Sequence, residues 1–330
     1  MANPGESDAL VVGAGVAGLT TAARLAEAGL SVRVRAERPP LHTTSARAGA
    51  SWGPYMVSDP RVLHWSEQTR LRLEEIAKDA GSGVRLVRGM EAAPHPMEPP
   101  PWAVRLSDFE PCPAEDLPAR YVCGWRYTAP VVDMPRYLGY LTRRLADAGV
   151  AVEIGPIRSF REVFGAARVL VNCTGLGSRK LVPDEGVVPT RGQLVVVDNP
   201  GIDTFFQDSA EHDEMTYFLP HSDHVVLGGS ALRQSESLEP DRAAAAAIVE
   251  RCAAVEPLLR TARIREILVG LRPTRSRVRV EWDLIGGVPI IHNYGHGGAG
   301  LTLSWGCANE VLSLTLDPLA AASQGAVCRA

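Results

Sequence analysis

Apolar residues run without a break from Ala9 to Val12 and then give way at once to Gly13-Ala14-Gly15-Val16-Ala17-Gly18. A short continuous apolar run is the pattern of a strand buried on both faces. The next stretch is rich in Ala and Leu and ends at Gly29, a residue suited to the turn that closes a helix. Leu30 to Ala36 alternates apolar and polar positions, the period of a strand. These segments predict a β-α-β unit. Further on, Arg136 to Ala148 has helical spacing and ends near Gly149, and Val169 to Cys173 is a second buried-strand pattern, followed by Thr174-Gly175-Leu176-Gly177. Gln193 to Val197, Thr216 to Leu219 and His224 to Leu227 read as strands, the last two joined by a turn around His221-Ser222-Asp223. A helix is expected over Arg242 to Leu259, a strand over Val278 to Trp282 and a final helix over Leu301 to Leu316. Residues 91–118, which include Pro99-Pro100-Pro101, read as a long irregular connection. No internal repeat is visible.

The glycines of the first unit have a chemical meaning in that position. Gly13, Gly15 and Gly18 form a GxGxxG that follows a strand and opens a helix. Gly13 permits the tight turn, Gly15 lets a pyrophosphate approach the backbone, and Gly18 lets the helix pack on the strand. The helix start offers free N–H groups and a positive dipole end to phosphates. Glu37 stands nineteen residues after Gly18, where a carboxylate that holds ribose hydroxyls is expected. Its neighbours Arg35 and Arg38 leave room for a preference for a 2′-phosphate. The motif alone leaves NAD and FAD both open.

A chain of 330 residues suits two domains or one discontinuous pair. With 45% hydrophobic and 22% charged residues it has an ordinary globular composition, and a net charge of -4 gives no reason to expect nucleic acid or an anionic membrane surface as partner. No stretch is apolar enough to span a bilayer, and Met1 to Asp8 is polar, without the pattern of a signal peptide. Cys112, Cys123, Cys173, Cys252, Cys307 and Cys328 show no metal-ligand spacing and read as reduced thiols in the cytoplasm. The terminal Val-Cys-Arg-Ala carries no peroxisomal address.

The second glycine-rich segment, His292-Asn293-Tyr294-Gly295-His296-Gly297-Gly298-Ala299-Gly300-Leu301-Thr302, precedes the last helix. Such a run is costly to order and marks a place where backbone approaches a ligand closely. A helix start here would stabilise the negative charge of a reduced flavin, which favours FAD over NAD. At this point the sequence resembles the D-amino-acid oxidase family. His292 to Ala308 is similar to that family's C-terminal signature, and Gly270-Leu271-Arg272-Pro273-Thr274-Arg275 to its substrate-arginine segment. Thr43-Thr44-Ser45 with Trp52-Gly53-Pro54-Tyr55 resembles its first flavin loop; Val171-Asn172-Cys173-Thr174-Gly175 and Arg191-Gly192-Gln193 match as well.

The resemblance implies an α/β fold: a Rossmann-like FAD-binding domain (1–50, 142–190 and 283–330) interleaved with a substrate domain (51–141 and 191–282) on a mixed, mostly antiparallel β-sheet. FAD would be held by Gly13, Ala14, Gly15, Val16, Ala17, Gly18, Glu37, Arg38, Thr43, Thr44, Ser45, Gly49, Val171, Thr174, Gly175, Gly297, Gly298, Gly300, Leu301 and Thr302. Arg272 and Tyr217 would bind the α-carboxylate of a D-amino acid, and the Gly298 carbonyl would accept from its amine. Hydride would pass from the α-carbon to flavin N5 without a side-chain base, and oxygen would reoxidise the flavin to give hydrogen peroxide. The imino acid would hydrolyse to a 2-oxo acid and ammonia. A homodimer is the family tendency.

Four positions depart from the family pattern. Asp213 stands where vertebrate members carry a lid tyrosine, Ala299 where some members have a tyrosine, and Arg47 and Ser51 where apolar residues are expected in the flavin loop. Three rival readings follow: an oxidase of glycine or secondary amines, a D-aspartate oxidase drawing on Arg126 or Arg47, and a flavin protein without activity. Taken alone, Arg272, Arg275, Arg277 and Arg279 read as surface ion pairs and Tyr217 as a half-buried strand residue. The resemblance singles out Arg272 and Tyr217. His221 and His224, three apart on a turn, do not suggest a metal site. His292 and His296 are expected to shape the flavin loop, Trp52 to pack or face the site, and Cys307 to sit in the core.

Overall fold

The computed structural model describes residues 7–209 and 214–327. The first strands are β1 (Ser7–Val12), β2 (Val32–Ala36), β3 (Ala50–Ser51), β4 (Val84–Ala93) and β5 (Glu110–Pro111). They are followed by β6 (Cys123–Val132), β7 (Val152–Ile154), β8 (Ala167–Asn172), β9 (Val188–Asp198) and β10 (Phe205–Asp208). The last are β11 (Glu214–Pro220), β12 (His224–Ser230), β13 (Leu232–Arg233), β14 (Ile264–Ile285) and β15 (Val288–His296). The helices are α1 (Val16–Glu27), α2 (Val62–Ile76), α3 (Met134–Asp147), α4 (Ser178–Leu181), α5 (Arg242–Val255) and α6 (Gly300–Val327).

These strands form one continuous sheet in the order β3-β6-β4-β10-β11-β12-β9-β14-β15-β8-β1-β2-β7, with β13 on β9 and β5 on β6. At one end β15, β8, β1, β2 and β7 are all parallel. The apolar run that opens the chain lies at the centre of this layer, where Ala9 to Val12 are buried between β8 and β2. At the other end the pairings are antiparallel except for β4 with β10. The β14–β15 hairpin joins the two regions. Its turn is Gly286-Gly287, both at positive φ, which suits the right-handed twist of the flanking strands.

The parallel layer is covered on one side by α1 and α6. Thr20 Oγ1 donates to the Ser304 carbonyl at 3.3 Å, and Arg24 Nε to Asn309 Oδ1 at 2.7 Å. Helix α3 opens on Asp133, whose carboxylate accepts from the Arg136 N–H, and Gly149 follows it at φ 75°. Gly29 closes α1 in the same way, at φ 82°.

The structure corrects the sequence reading at several elements. Helix α2 and strands β4 and β6 had no clean pattern: half of β6 is buried on both faces, which removes the alternation that marks a strand. Strand β4 reaches Ala93, so the irregular connection begins later than expected. Strand β14 runs for 22 residues rather than five, because it pairs with β9 along one part of its length and with β15 along the other. His292 to His296 are not loop but the end of β15, which leaves 297–299 as the turn. Helix α5 stops at Val255 before a short 3-10 turn, and α6 extends past Leu316 to Val327.

The first turn of the chain is set by contact between backbones. Gly13 has φ 117°, and a methyl placed on Gly18 would stand 1.9 Å from the Gly13 carbonyl oxygen. Gly18→Ala is therefore expected to cost at least about 2 kcal/mol, because the obstacle is main chain and cannot swing aside. Gly15→Ala, whose methyl meets only the Ser45 hydroxyl at 3.1 Å, is expected to cost less than about 1 kcal/mol. Urea denaturation of the two variants checks the contrast.

Candidate active site

Two helix starts converge at the carboxyl ends of the parallel strands. A side chain built on Gly300, the first residue of α6, would lie 3.9 Å from Val16 Cγ1, on the first residue of α1. The cap position of α1 is Gly15, which offers no side-chain hydrogen bond to the helix. The Val16 N–H donates to Ser45 Oγ at 3.0 Å, which ties the short turn Thr44–Arg47 to this point. Two positive helix ends side by side, with glycines that leave the backbone open, form a cradle for an anionic dinucleotide.

Most residues singled out in the sequence surround this cradle. Gly13, Gly15 and Ala17 are partly exposed, while Ala14, Val16 and Gly18 face the core. Thr43 and Ser45 are partly exposed, and the Thr44 methyl lies near Gly270 of β14. Thr174 donates its N–H and hydroxyl to Asn172 Oδ1, which shapes the turn that carries Gly175. Glu37 and Arg38 are exposed and lie 3.8 Å apart at the end of β2. Arg35 donates to the Gly155 carbonyl and is not free to hold a 2′-phosphate. Val171 sits in mid-strand with its side chain in the core, so only its backbone faces the layer's ligand side. Leu301 is buried, and Thr302 Oγ1 donates to the Gly53 carbonyl at 2.9 Å, which anchors the loop before α2.

The second half of the site lies on the sheet face of β14, β9, β12 and β11. Arg275 pairs with Asp184, Arg277 with Asp59, and Arg279 with Glu281 and Asp283. Arg272 has no carboxylate partner among the described residues. Its one hydrogen bond is from Nη1 to the Ser230 carbonyl at 2.9 Å. Burial pulls its pKa below the usual guanidinium value, with Tyr217 acting in the opposite sense. Because a guanidinium stays protonated, the result is an enclosed positive charge awaiting an anion. Tyr217 lies across Gly228: a side chain there would stand 1.9 Å from the Tyr217 ring. Burial pushes the Tyr217 phenol up to about 12, so at neutral pH it keeps its proton and can donate it in a hydrogen bond.

Gly192 and Gly228 make this arrangement possible, and neither was singled out as a site residue in the sequence. A methyl on Gly192 would stand 2.4 Å from Arg272 Nη1. The signal available was Gly192 inside the Arg191-Gly192-Gln193 match and the Gly228-Gly229 pair at the end of a strand. The turn carrying Gly298 is fastened to the same region, since the Gly297 N–H donates to the carbonyl of Pro273, next to Arg272. Gly298 itself is exposed, and a methyl placed on Gly49 would stand 3.5 Å from the Tyr217 ring.

Other candidates have structural partners. His292 binds Asn172 and Asp283, and His296 binds Asn293; burial holds both near a pKa of about 4, so they are neutral. Cys307 is buried with its thiol pushed well up, and Trp52 donates to the Ser66 carbonyl within the core. Arg126 pairs with Asp116 at 2.9 Å and Arg47 is exposed. Asp213 lies outside the described residues. His221 and His224 stack at 4.5 Å, and the fold brings Asp133 within 4.8 Å of both, a carboxylate that local sequence did not reveal. That carboxylate already caps α3 and pairs with Arg136, and Arg85 and Arg136 both raise the positive potential at His221. The cluster therefore favours stacking over cation binding.

Comparison with known proteins identifies the family. Residues 8–314 match the family model described as "FAD dependent oxidoreductase". The chain is 46% identical over 309 residues to the D-amino-acid oxidase of Rubrobacter xylanophilus, covering 93% of this chain and 95% of that one. It is 43% identical to the D-amino-acid oxidase of Streptomyces coelicolor, over 94% of this chain and 97% of that one. Among solved structures, glycine oxidase from Bacillus cereus superposes with a TM-score of 0.77 at 18% identity, over 95% of this chain and 96% of that one, a likeness of fold. The paired helix starts and the open glycine turns fit the phosphates and ring of FAD, and the chain belongs to the DAO family of FAD-dependent oxidoreductases.

Proposed function

We propose that the protein oxidises neutral D-amino acids, with overall consumption of one O2 and one water to give a 2-oxo acid, ammonia and hydrogen peroxide. The observation that carries this reading is Arg272, a largely buried guanidinium with no carboxylate partner among the described residues, beside a protonated phenol. A substrate α-carboxylate would complete it, taking two parallel hydrogen bonds from the guanidinium fork and one from Tyr217. Two relatives named D-amino-acid oxidase support the same substrate class.

When bound, FAD supplies the two-electron acceptor and its reoxidation by O2. The chain's own residues act by holding the substrate. Arg272 and Tyr217 fix one end, and the exposed Gly298 carbonyl offers an acceptor for the α-amine. Anchoring both groups fixes the α-carbon and the direction of its hydrogen. Tyr217, held protonated, and the neutral, internally bonded His292 and His296 make poor bases, so orientation is the contribution of the site. D-aspartate oxidation would need a further cation; Arg126 is engaged by Asp116.

We read residues 1–50, 142–190 and 283–330 as the FAD-binding part, and 51–141 and 191–282 as the substrate part. In support, the parallel strands β1, β2, β7, β8 and β15 fall in the first set, and Arg272 and Tyr217 in the second. A cytoplasmic setting is supported by the five described cysteines, all unpaired. Among the described residues no helix is long and apolar enough to cross a membrane.

Arg272→Ala is expected to lower kcat/KM for D-alanine by about thirtyfold or more, the usual range for removing a buried ionic partner. It should raise KM and slow anaerobic flavin bleaching while the flavin spectrum of the resting protein stays the same. Unchanged kinetics would remove Arg272 from the site. Gly192→Ala is expected to displace only the flexible end of Arg272, so KM should rise for every α-carboxylate substrate while the melting temperature changes little. Steady-state kinetics beside thermal unfolding of that variant check both halves.

A further inference from the structure

Glu91 is fully buried, and no cation pairs with it among the described residues. It accepts hydrogen bonds from Tyr55 Oη at 2.5 Å and Tyr127 Oη at 2.7 Å, both to Oε2, and from Ser209 Oγ to Oε1. Each phenol therefore spends its one proton on the carboxylate and can only accept from anything else. The Gln207 Nε2 lies 2.7 Å from both phenol oxygens and 3.3 Å from Glu91 Oε2. Only a donor satisfies three acceptors, so the amide cannot turn over. Its Oε1 accepts only from the Ser51 hydroxyl among the described residues, at a long 3.4 Å.

This amide belongs to the same sheet face as the carboxylate anchor. Register places Glu91 beside Gln207, Gln207 beside Tyr217, and Tyr217 beside Gly228. Register partners on adjacent strands point to one face of a sheet. The Tyr217 ring leans over Gly228, away from Gln207, and the Arg272 guanidinium lies over Gly192. From the Gly228 strand to the Gln207 strand is two strand spacings, about 10 Å. A substrate held by its carboxylate and carrying two methylenes and a terminal amide, with a hydrogen bond of about 2.9 Å at each end, is long enough to cover that distance.

We infer that Gln207, locked by Glu91, Tyr55 and Tyr127 and joined by Ser51, is the specificity wall of the pocket. It selects D-amino acids whose side chain ends in a hydrogen-bond donor, such as D-glutamine, over apolar and acidic ones of equal length. The acceptor Oε1 rewards a donor. An acidic side chain meets that same acceptor with the Glu91 carboxyl behind it, and an apolar one leaves the fixed carbonyl without a partner. This assignment accounts for Ser51, the polar residue in a loop expected to be apolar, and it rests on the oxidase reading above.

The test uses the FAD-loaded protein with D-glutamine, D-methionine and D-glutamate, which match in length. Steady-state kcat/KM and anaerobic flavin bleaching are read for each. D-glutamine is expected to exceed D-methionine by about threefold to tenfold, the worth of one neutral hydrogen bond, with D-glutamate the poorest. Gln207→Leu is expected to reverse the order of D-glutamine and D-methionine. If that variant does not fold, Ser51→Ala, which touches only the edge of the network, is expected to lower the ratio in the same direction. A structural role alone would change both substrates equally and leave the ratio where it was. D-methionine equal to or better than D-glutamine in the unaltered protein overturns the wall and leaves the oxidase reading intact. Failure of all three and of D-alanine to bleach the flavin overturns the oxidase reading itself.

Discussion

Strand β14 is hydrogen-bonded to β9 along one edge and to β15 along the other, and both pairings have to hold at once for the site to exist. The first places Arg272 opposite Thr190, two residues along from the Gly192 on which its guanidinium rests. The second carries the chain back through Gly286-Gly287 into the parallel layer and delivers the 297–299 turn beside Pro273. The groups proposed to hold a substrate's two polar ends thus come from one hairpin and the turn that follows it. A one-residue slip of β14 would send Arg272 to the opposite face of the sheet.

Charge then separates the arginines that build the molecule from the one left over. Arg275, Arg277 and Arg279 follow Arg272 at short intervals and all find carboxylates. Arg272 finds a single carbonyl and a phenol that keeps its proton. The reverse situation occurs five strands away, where Glu91 is buried among hydroxyls and an amide with no cation among the described residues. An uncompensated cation and a hydrogen-bonded carboxyl on one face make a polar axis, and a zwitterion with a further side chain has a preferred way to lie along it.

The nucleotide end was legible because its requirements are local. Gly13, Gly15 and Gly18 act within six residues, and the strand and helix around them carry clean periodicities. The substrate end is assembled from β9, β11, β12 and β14, and no local pattern says which of four arginines lacks a partner. The resemblance supplied Arg272 and Tyr217, but not the small residues beneath them. Gly192 and Gly228 matter for the volume they leave empty, which becomes visible only when the neighbouring strand is in place. Gln207 was invisible for the same reason: its orientation is decided by Tyr55, Glu91 and Tyr127, up to 152 residues away. That Asp133 stands near His221 and His224 was not legible because it arrives from the start of α3, far away in sequence.

The order of the sheet also has a consequence for how the chain is made. Strand β1 lies between β2, which follows it closely, and β8, whose Ala167–Asn172 emerges much later. Strand β8 in turn waits for β15, and α1 waits for α6, whose Ser304 and Asn309 it contacts. A nascent chain on the ribosome therefore carries one edge of β1 unpaired until Asn172 has been made, and one side of α1 uncovered until α6 follows. Contacts of such long sequence separation fold slowly and leave strand edges open meanwhile. The edge of β1 is thus a part of the sheet whose protection depends on the order of synthesis as well as on the stability of the finished fold.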